Sequence, residues 1–137
     1  MNILFICTAN SCRSQMAEAW AGRLFPAGWK VSSGGLLTYR ITEKTKAAMA
    51  EVGLDMAGQQ TKTFDKFDLN SFDLVVTLSN EAGRYLPALK HPERHLRKPI
   101  TDPMSSTGSP EEIAAAFREG RDRVKAIVEE IVAAQSS

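Results

Sequence analysis

A chain of 137 residues with 43% hydrophobic and 24% charged side chains has enough apolar material for one core, so one domain over 1–137 is expected. Its net charge of +1, with both signs scattered along the chain, excludes a broad basic footprint for nucleic acid. No stretch approaches the roughly 20 apolar residues of a membrane span, and the opening apolar run is too short for a signal peptide, so a cytoplasmic location is expected.

Residues 2–7 are a nearly continuous apolar run, the pattern of a strand covered on both faces. Across 13–25, Met16, Ala17, Trp20, Ala21 and Leu24 recur at helical spacing, which predicts an amphipathic helix stopped by Pro26 and Gly28. A second strand is expected over 29–33, with Gly34 and Gly35 opening a loop. Residues 42–52 read as a helix: Thr42 is the N-cap, Thr45, Ala48, Met49 and Val52 lie along one side, and Gly53 stands just past the end. Periodicity is poor over 55–72, which reads as loop with at most one short helix. A third strand is expected over 73–78, a short helix over 80–86 ended by Pro87, and a fourth strand over 95–100 before Asp102 and Pro103. Ser109, Pro110, Glu111 and Glu112 are a helix start, with the cap, the proline and the acids in their favoured places. The stripe of Ile113, Phe117, Val124, Ile127, Val128 and Ile131 carries that helix to the end, and Gly120 inside it costs stability.

Strands alternating with helices predict an α/β fold: a four-stranded parallel sheet with helices on both faces. Ligands in such folds bind beyond the C-terminal ends of the strands. Cys7 falls at that end of the first strand, and the loop Cys7-Thr8-Ala9-Asn10-Ser11-Cys12-Arg13-Ser14 runs straight into the first helix. Backbone N–H groups in such a turn can converge on an anion, and the helix dipole adds positive potential. That field favours a thiolate at Cys7. Arg13 offers a planar fork of donors for two oxygens of a phosphate-like group. Nucleophile, cradle and cation are the parts that phosphoryl chemistry needs together. The competing explanation is a buried strand-end cysteine followed by a surface arginine.

The two cysteines, Cys7 and Cys12, stand five positions apart, which suits reactivity better than a structural disulfide. His91 and His95 with the cysteines do not have zinc-finger spacing; both histidines are expected to face solvent, and no metal or cofactor is called for. No Walker loop occurs.

Cys-x5-Arg-Ser directly after the first strand resembles the phosphate loop of low-molecular-weight protein tyrosine phosphatases and of their relatives, the thioredoxin-coupled arsenate reductases. The similarity runs almost end to end, through Asn10 and Cys12, Ser14-Gln15-Met16-Ala17-Glu18, Ser32-Ser33-Gly34-Gly35 and Asp102-Pro103. The resemblance implies that Cys7 is the nucleophile and Arg13 the oxyanion clamp. It implies that Asn10 holds an unusual loop backbone and that Ser14 donates to the Cys7 sulfur. Asp102 would protonate the leaving group and later activate water. Tyr39 falls where these phosphatases place an aromatic wall for the substrate ring.

The reductases of this type pass oxidation to two cysteines after the third strand, but Leu78-Ser79-Asn80-Glu81-Ala82-Gly83-Arg84-Tyr85-Leu86-Pro87 has none. That absence and Tyr39 favour a phosphatase acting on aryl phosphomonoesters, such as phosphotyrosine proteins, through a phospho-cysteine at Cys7. Against it, the residues just after the loop and those over 108–121 look more like the reductase branch, and no aromatic follows Asp102-Pro103. The alternative is an arsenate reductase attacking arsenate with Cys7 and using an external thiol (glutathione, mycothiol or a thioredoxin system). Cys12 is a possible resolving thiol, although a bridge inside a short loop is geometrically demanding. A non-enzymatic oxyanion-binding module is the further alternative.

Overall fold

The computed structural model describes residues 1–136. Its regular elements are β1 (Asn2–Cys7), α1 (Arg13–Leu24), β2 (Lys30–Gly35), α2 (Glu43–Ala50), β3 (Leu74–Thr77), α3 (Asn80–Tyr85), β4 (His95–Arg97) and α4 (Pro110–Ser136), with short 3₁₀ turns between them. The strands form one parallel sheet in the order β2-β1-β3-β4. The expected four-stranded parallel α/β fold is the one observed. The chain moves outward from β1 to β2 and then crosses back to β3, so the topological switch lies beside β1, where a parallel sheet opens a crevice.

The alternation within β1 divides the core. Ile3, Phe5 and Cys7 face one layer with Met16, Trp20, Met49, Val124 and Val128, whereas Leu4 and Ile6 face the other with Val75, Ala82 and Leu86. Both faces of β1 are therefore covered, which is why every position from Ile3 to Cys7 is apolar.

Several boundaries differ from expectation. β2 continues through Gly34 and Gly35, which pair with Ile6 and Cys7, so the two glycines end a strand rather than open a loop. The fourth strand is three residues long, not six; Pro99 has no N–H for the ladder, although Lys98 N and Ile100 N still reach Thr77 O and Leu78 O at 2.9 and 3.1 Å. The irregular 55–72 stretch holds two 3₁₀ turns, Phe64–Lys66 and Leu69–Ser71. α2 stops at Ala50, and Gly53 takes the left-handed conformation (φ 78°) that helix ends favour. His91 is exposed as expected, but His95 is half-buried and lies 2.9 Å by Nε2 from Thr77 Oγ1.

Gly120 has a packing reason that outweighs its helical cost. A Cβ at that position would stand 2.6 Å from Pro103 Cγ, so the bare backbone lets the turn after Asp102 seat against α4. The next residue, Arg121, ties three helices together. Its backbone carbonyl accepts from Trp20 Nε1 at 3.1 Å, and its guanidinium donates to Ala48 O and Glu51 Oε1, both at 2.9 Å. Arg118 pairs with Glu51 Oε2 at 2.7 Å.

The Arg118 guanidinium first, with Arg121 adding to it, holds the Glu51 carboxyl down to about 2 from an ordinary 4.5. A depressed folded-state value means stabilisation that is present above 4.5 and lost as pH falls through about 2. In thermal melts, the gap between wild type and Glu51→Gln should therefore be widest near neutral pH and close across that acid window. A gap that stays constant down to the lower limit would contradict the pairing.

Candidate active site

The segment from Cys7 to Ser14 is built around Asn10, whose φ of 48° is the one positive value outside glycine among the described residues. Asparagine tolerates this conformation better than most side chains, and here both ends of its amide are bonded. Oδ1 accepts from Lys62 N at 2.9 Å and Gln15 Nε2 at 3.0 Å, and Nδ2 donates to Ser14 Oγ at 2.8 Å. Gln15 is itself buried and is held by Gln59 Nε2 at 2.8 Å. A polar network behind the loop thus fixes the backbone turn from inside the protein.

Ser14 links that network to the cysteine. Its Oγ lies 2.9 Å from Cys7 Sγ and 3.4 Å from Gly34 O. Because Asn10 already donates to this oxygen, the single hydroxyl proton is left for the sulfur or the carbonyl, and the sulfur is nearer. The geometry therefore allows Ser14 to donate to a thiolate at Cys7. Cys7 is 2% exposed, at the strand end where the loop begins. α1 starts immediately behind the loop with no side-chain cap at Cys12 and no acid in its first turn, which leaves its dipole uncompensated by the chain.

Arg13 is buried, and Nη1 donates to Ile100 O at 3.0 Å. Its Nη2 stands 3.7 Å from Asp102 Oδ2, a loose ion pair. Asp102 is extended (φ −75°, ψ 112°), as a residue before proline should be. Its Oδ1 accepts from Met104 N at 3.0 Å, so the carboxylate is held in a turn of its own with a third of the side chain exposed. Arg13, at the start of α1, and Asp102, in the turn that follows β4, are thus brought together beside the loop that begins at Cys7.

The rim is completed by two further segments. Leu37 N and Tyr39 N donate to Thr8 O and Ala9 O, each at 3.0 Å, and Ser11 Oγ donates to Arg40 O at 2.6 Å. Tyr39 is 44% exposed at this rim, with the Arg40 guanidinium 4.9 Å from its ring centroid. On the opposite side Thr8 Oγ1 lies 3.1 Å from Ser79 Oγ and 3.4 Å from Glu81 Oε2. Gln15, Gln59, Lys62, Gly35 and Ser79 support the loop without being legible as support in the sequence. Their signal is spatial: apart from Gln15, five positions from Asn10, they lie 28 to 71 positions from the residues they hold.

Cys12 differs from Cys7. It is a free thiol buried among apolar residues, and burial pushes it up to about 12. It stays protonated at neutral pH and is a poor nucleophile. Iodoacetate at neutral pH should therefore label Cys7 well before Cys12, and added phosphate should protect Cys7. Peptide mapping that found equal labelling, or no protection, would contradict an anion-filled loop over Cys7.

A cysteine at a strand end, a tight loop turned at Asn10 and a buried arginine at the start of the next helix are features of a class of oxyanion-handling α/β enzymes. The chain belongs to the low molecular weight phosphotyrosine protein phosphatase family, whose model matches residues 2–136. It is an enzyme of the superfamily that joins these phosphatases to the arsenate reductases. It is 38% identical over 122 residues to the arsenate reductase of Halalkalibacterium halodurans, covering 89% of this chain and 88% of that one. Identity to the arsenate reductase of Bacillus subtilis is likewise 38%, with the same coverage. A solved structure of an arsenate reductase in the phosphate-binding state superposes with a TM-score of 0.83 at 32% identity, covering 96% of both chains.

These relatives correct one expectation. Absence of cysteines over 78–87 and the position of Tyr39 placed the phosphotyrosine phosphatase ahead of the reductase. Proteins more than a third identical over nine-tenths of the chain are arsenate reductases, so the order is reversed.

Proposed function

We propose that this protein is an arsenate reductase that attacks arsenate with Cys7 and is returned to its thiolate by an external thiol. The observation that carries the reading is the Ser14 hydroxyl 2.9 Å from Cys7 Sγ at the start of a loop backed by Arg13, found in a chain whose relatives reduce arsenate. Arsenate is a tetrahedral oxyanion, and it suits the same cradle as phosphate.

In this reading the Cys7 thiolate attacks arsenic, one oxygen leaves as water after protonation, and a Cys7–S–As(V) bond forms. Asp102 is the group placed to deliver that proton, and Arg13 with the loop amides holds the remaining oxygens. An external thiolate then attacks the Cys7 sulfur. The S–As bond breaks with its electron pair going to arsenic, so arsenite leaves and a mixed disulfide remains on Cys7. A second thiol resolves it. The sum is arsenate plus two thiols giving arsenite, one disulfide and one water, with two electrons moved from sulfur to arsenic.

An external thiol is required because the chain offers no usable internal one. Ser79 and Leu86 cannot form disulfides, and Cys12 is buried and protonated. The test is arsenite formation by the purified protein with arsenate and glutathione or dithiothreitol. Thiol-dependent arsenite production is expected, with one disulfide per arsenite. Thiol-independent phosphate release from aryl phosphates, with no arsenite under any thiol, would overturn it.

A further inference from the structure

The reductase reading leaves open where the second sulfur docks. Beside the phosphate loop, between the start of α3 and the end of β4, lies a cleft of about 460 Å³ lined by Ser79, Asn80, Gly83, Arg84, Arg97 and Pro99. It adjoins the site directly, since Ser79 on its wall is the residue that meets Thr8 at 3.1 Å. Neither Arg84 nor Arg97 has a carboxylate partner among the described residues, so two arginines line one cleft with no ion pair to either; the Arg84 guanidinium lies 5.9 Å from the exposed Tyr85 ring centroid. The charge of Arg97 is felt at His95, where it adds to burial in holding the imidazole below its ordinary value. Gly83 keeps the floor open, with the Arg97 stem 3.7 Å from where a Cβ would stand.

The sheet register sets the distance. Ile6 pairs with Thr77 and Thr77 with Arg97, so Arg97 stands two strand spacings from the end of β1. That is about 10 Å, within the reach of three extended residues at about 3.3–3.6 Å each. Glu81, one residue on from Asn80, presents a carboxylate between the cleft and the loop, 3.4 Å from Thr8 Oγ1.

We propose that this cleft binds the reducing co-substrate, a low-molecular-weight thiol with two carboxylates and one ammonium, the charge pattern of glutathione. Arg84 and Arg97 take the carboxylates by charge-assisted hydrogen bonds, Glu81 takes the ammonium, and the sulfur reaches over Ser79 toward Cys7. The assignment rests on the reductase reading for its chemistry, whereas its binding arm does not.

The experiment compares wild type, Arg84→Ala, Arg97→Ala and the double variant with glutathione and with uncharged dithiothreitol. Each single change should raise the KM for glutathione about tenfold, the size expected of one charge-assisted contact. The KM for arsenate and the rate with dithiothreitol should not change. A double variant with an unaltered KM for glutathione, or with equal losses for both thiols, would overturn the cleft assignment. Calorimetric titration with S-methylglutathione supplies the arm that needs no turnover. Binding to wild type and its loss in the double variant are expected, and absence of binding to wild type overturns the proposal. Arsenite production failing with both thiols would instead remove the reductase reading, with the titration still deciding the cleft.

Discussion

Replacing Cys7 by serine should lower arsenite production by roughly a thousandfold or more while leaving phosphate binding within a few-fold of wild type. The two halves of this result have separate causes. A serine hydroxyl is not ionised at neutral pH and cannot form the S–As bond or accept a second sulfur, so both covalent steps stop. On the proposed mechanism oxyanion binding depends instead on the loop amides, the α1 dipole and Arg13, and the change removes none of them. The pocket that holds the sulfur is also kept, because Ser14, Asn10 and Gln15 hold the loop from behind. Arsenite assays and calorimetric titration with phosphate measure the two halves independently. Substantial turnover by the serine variant would remove Cys7 from its assigned role, and loss of phosphate binding would show that the sulfur, not the cradle, carries affinity.

The second large effect is expected at a residue that touches no substrate. A methyl group on Gly35 would stand 2.5 Å from Leu37 O, 2.6 Å from Asn10 N and 2.9 Å from Ala9 C. All three are backbone atoms, so no side chain can swing aside, and the phosphate loop or the 35–40 segment must move. Displacing catalytic groups by about 1 Å costs about a hundredfold in rate, and overpacking costs about 1–3 kcal/mol in stability. Gly35→Ala should therefore lose about two orders of magnitude in kcat/KM for arsenate and melt earlier. Gly22 is the control: it lies in α1 with nothing within 4 Å of an added Cβ. Gly22→Ala should keep its activity and gain about 0.5–1 kcal/mol. Equal activity in the two alanine variants would mean that the Gly35 contact does not set the loop.

The parts of this fold that are legible in the sequence are those whose cause is local. β1 is apolar from Ile3 to Cys7 because both faces are covered, and α4 announces itself through Ser109, Pro110 and the stripe from Ile113 to Ile131. The Cys7–Arg13 loop is legible because strand, loop and helix follow one another without interruption. What escapes is tertiary in origin. Gly34 and Gly35 look like a loop, but the close passage of the phosphate loop requires a strand end without side chains. Gly120 looks like a helix defect until Pro103 is seen against it. His95 looks exposed until β4 brings it to Thr77. The placement of Asp102 near Arg13 is implied by resemblance alone, since a turn at Asp102-Pro103 carries no address. The choice of oxyanion is not legible in loop chemistry either, because phosphate and arsenate ask the same of Cys7, Arg13 and the amides.

On the proposed route the Cys7 sulfur passes from an arsenic adduct to a mixed disulfide with an external thiol. Mass spectrometry of the protein quenched during turnover with arsenate and glutathione tests this most directly. The mass of one glutathione should appear on the peptide containing Cys7, dependent on arsenate and absent in Cys7→Ser, with Cys12 unmodified. Glutathione on Cys12 instead, or arsenite formed with no thiol adduct at either cysteine, would contradict the account.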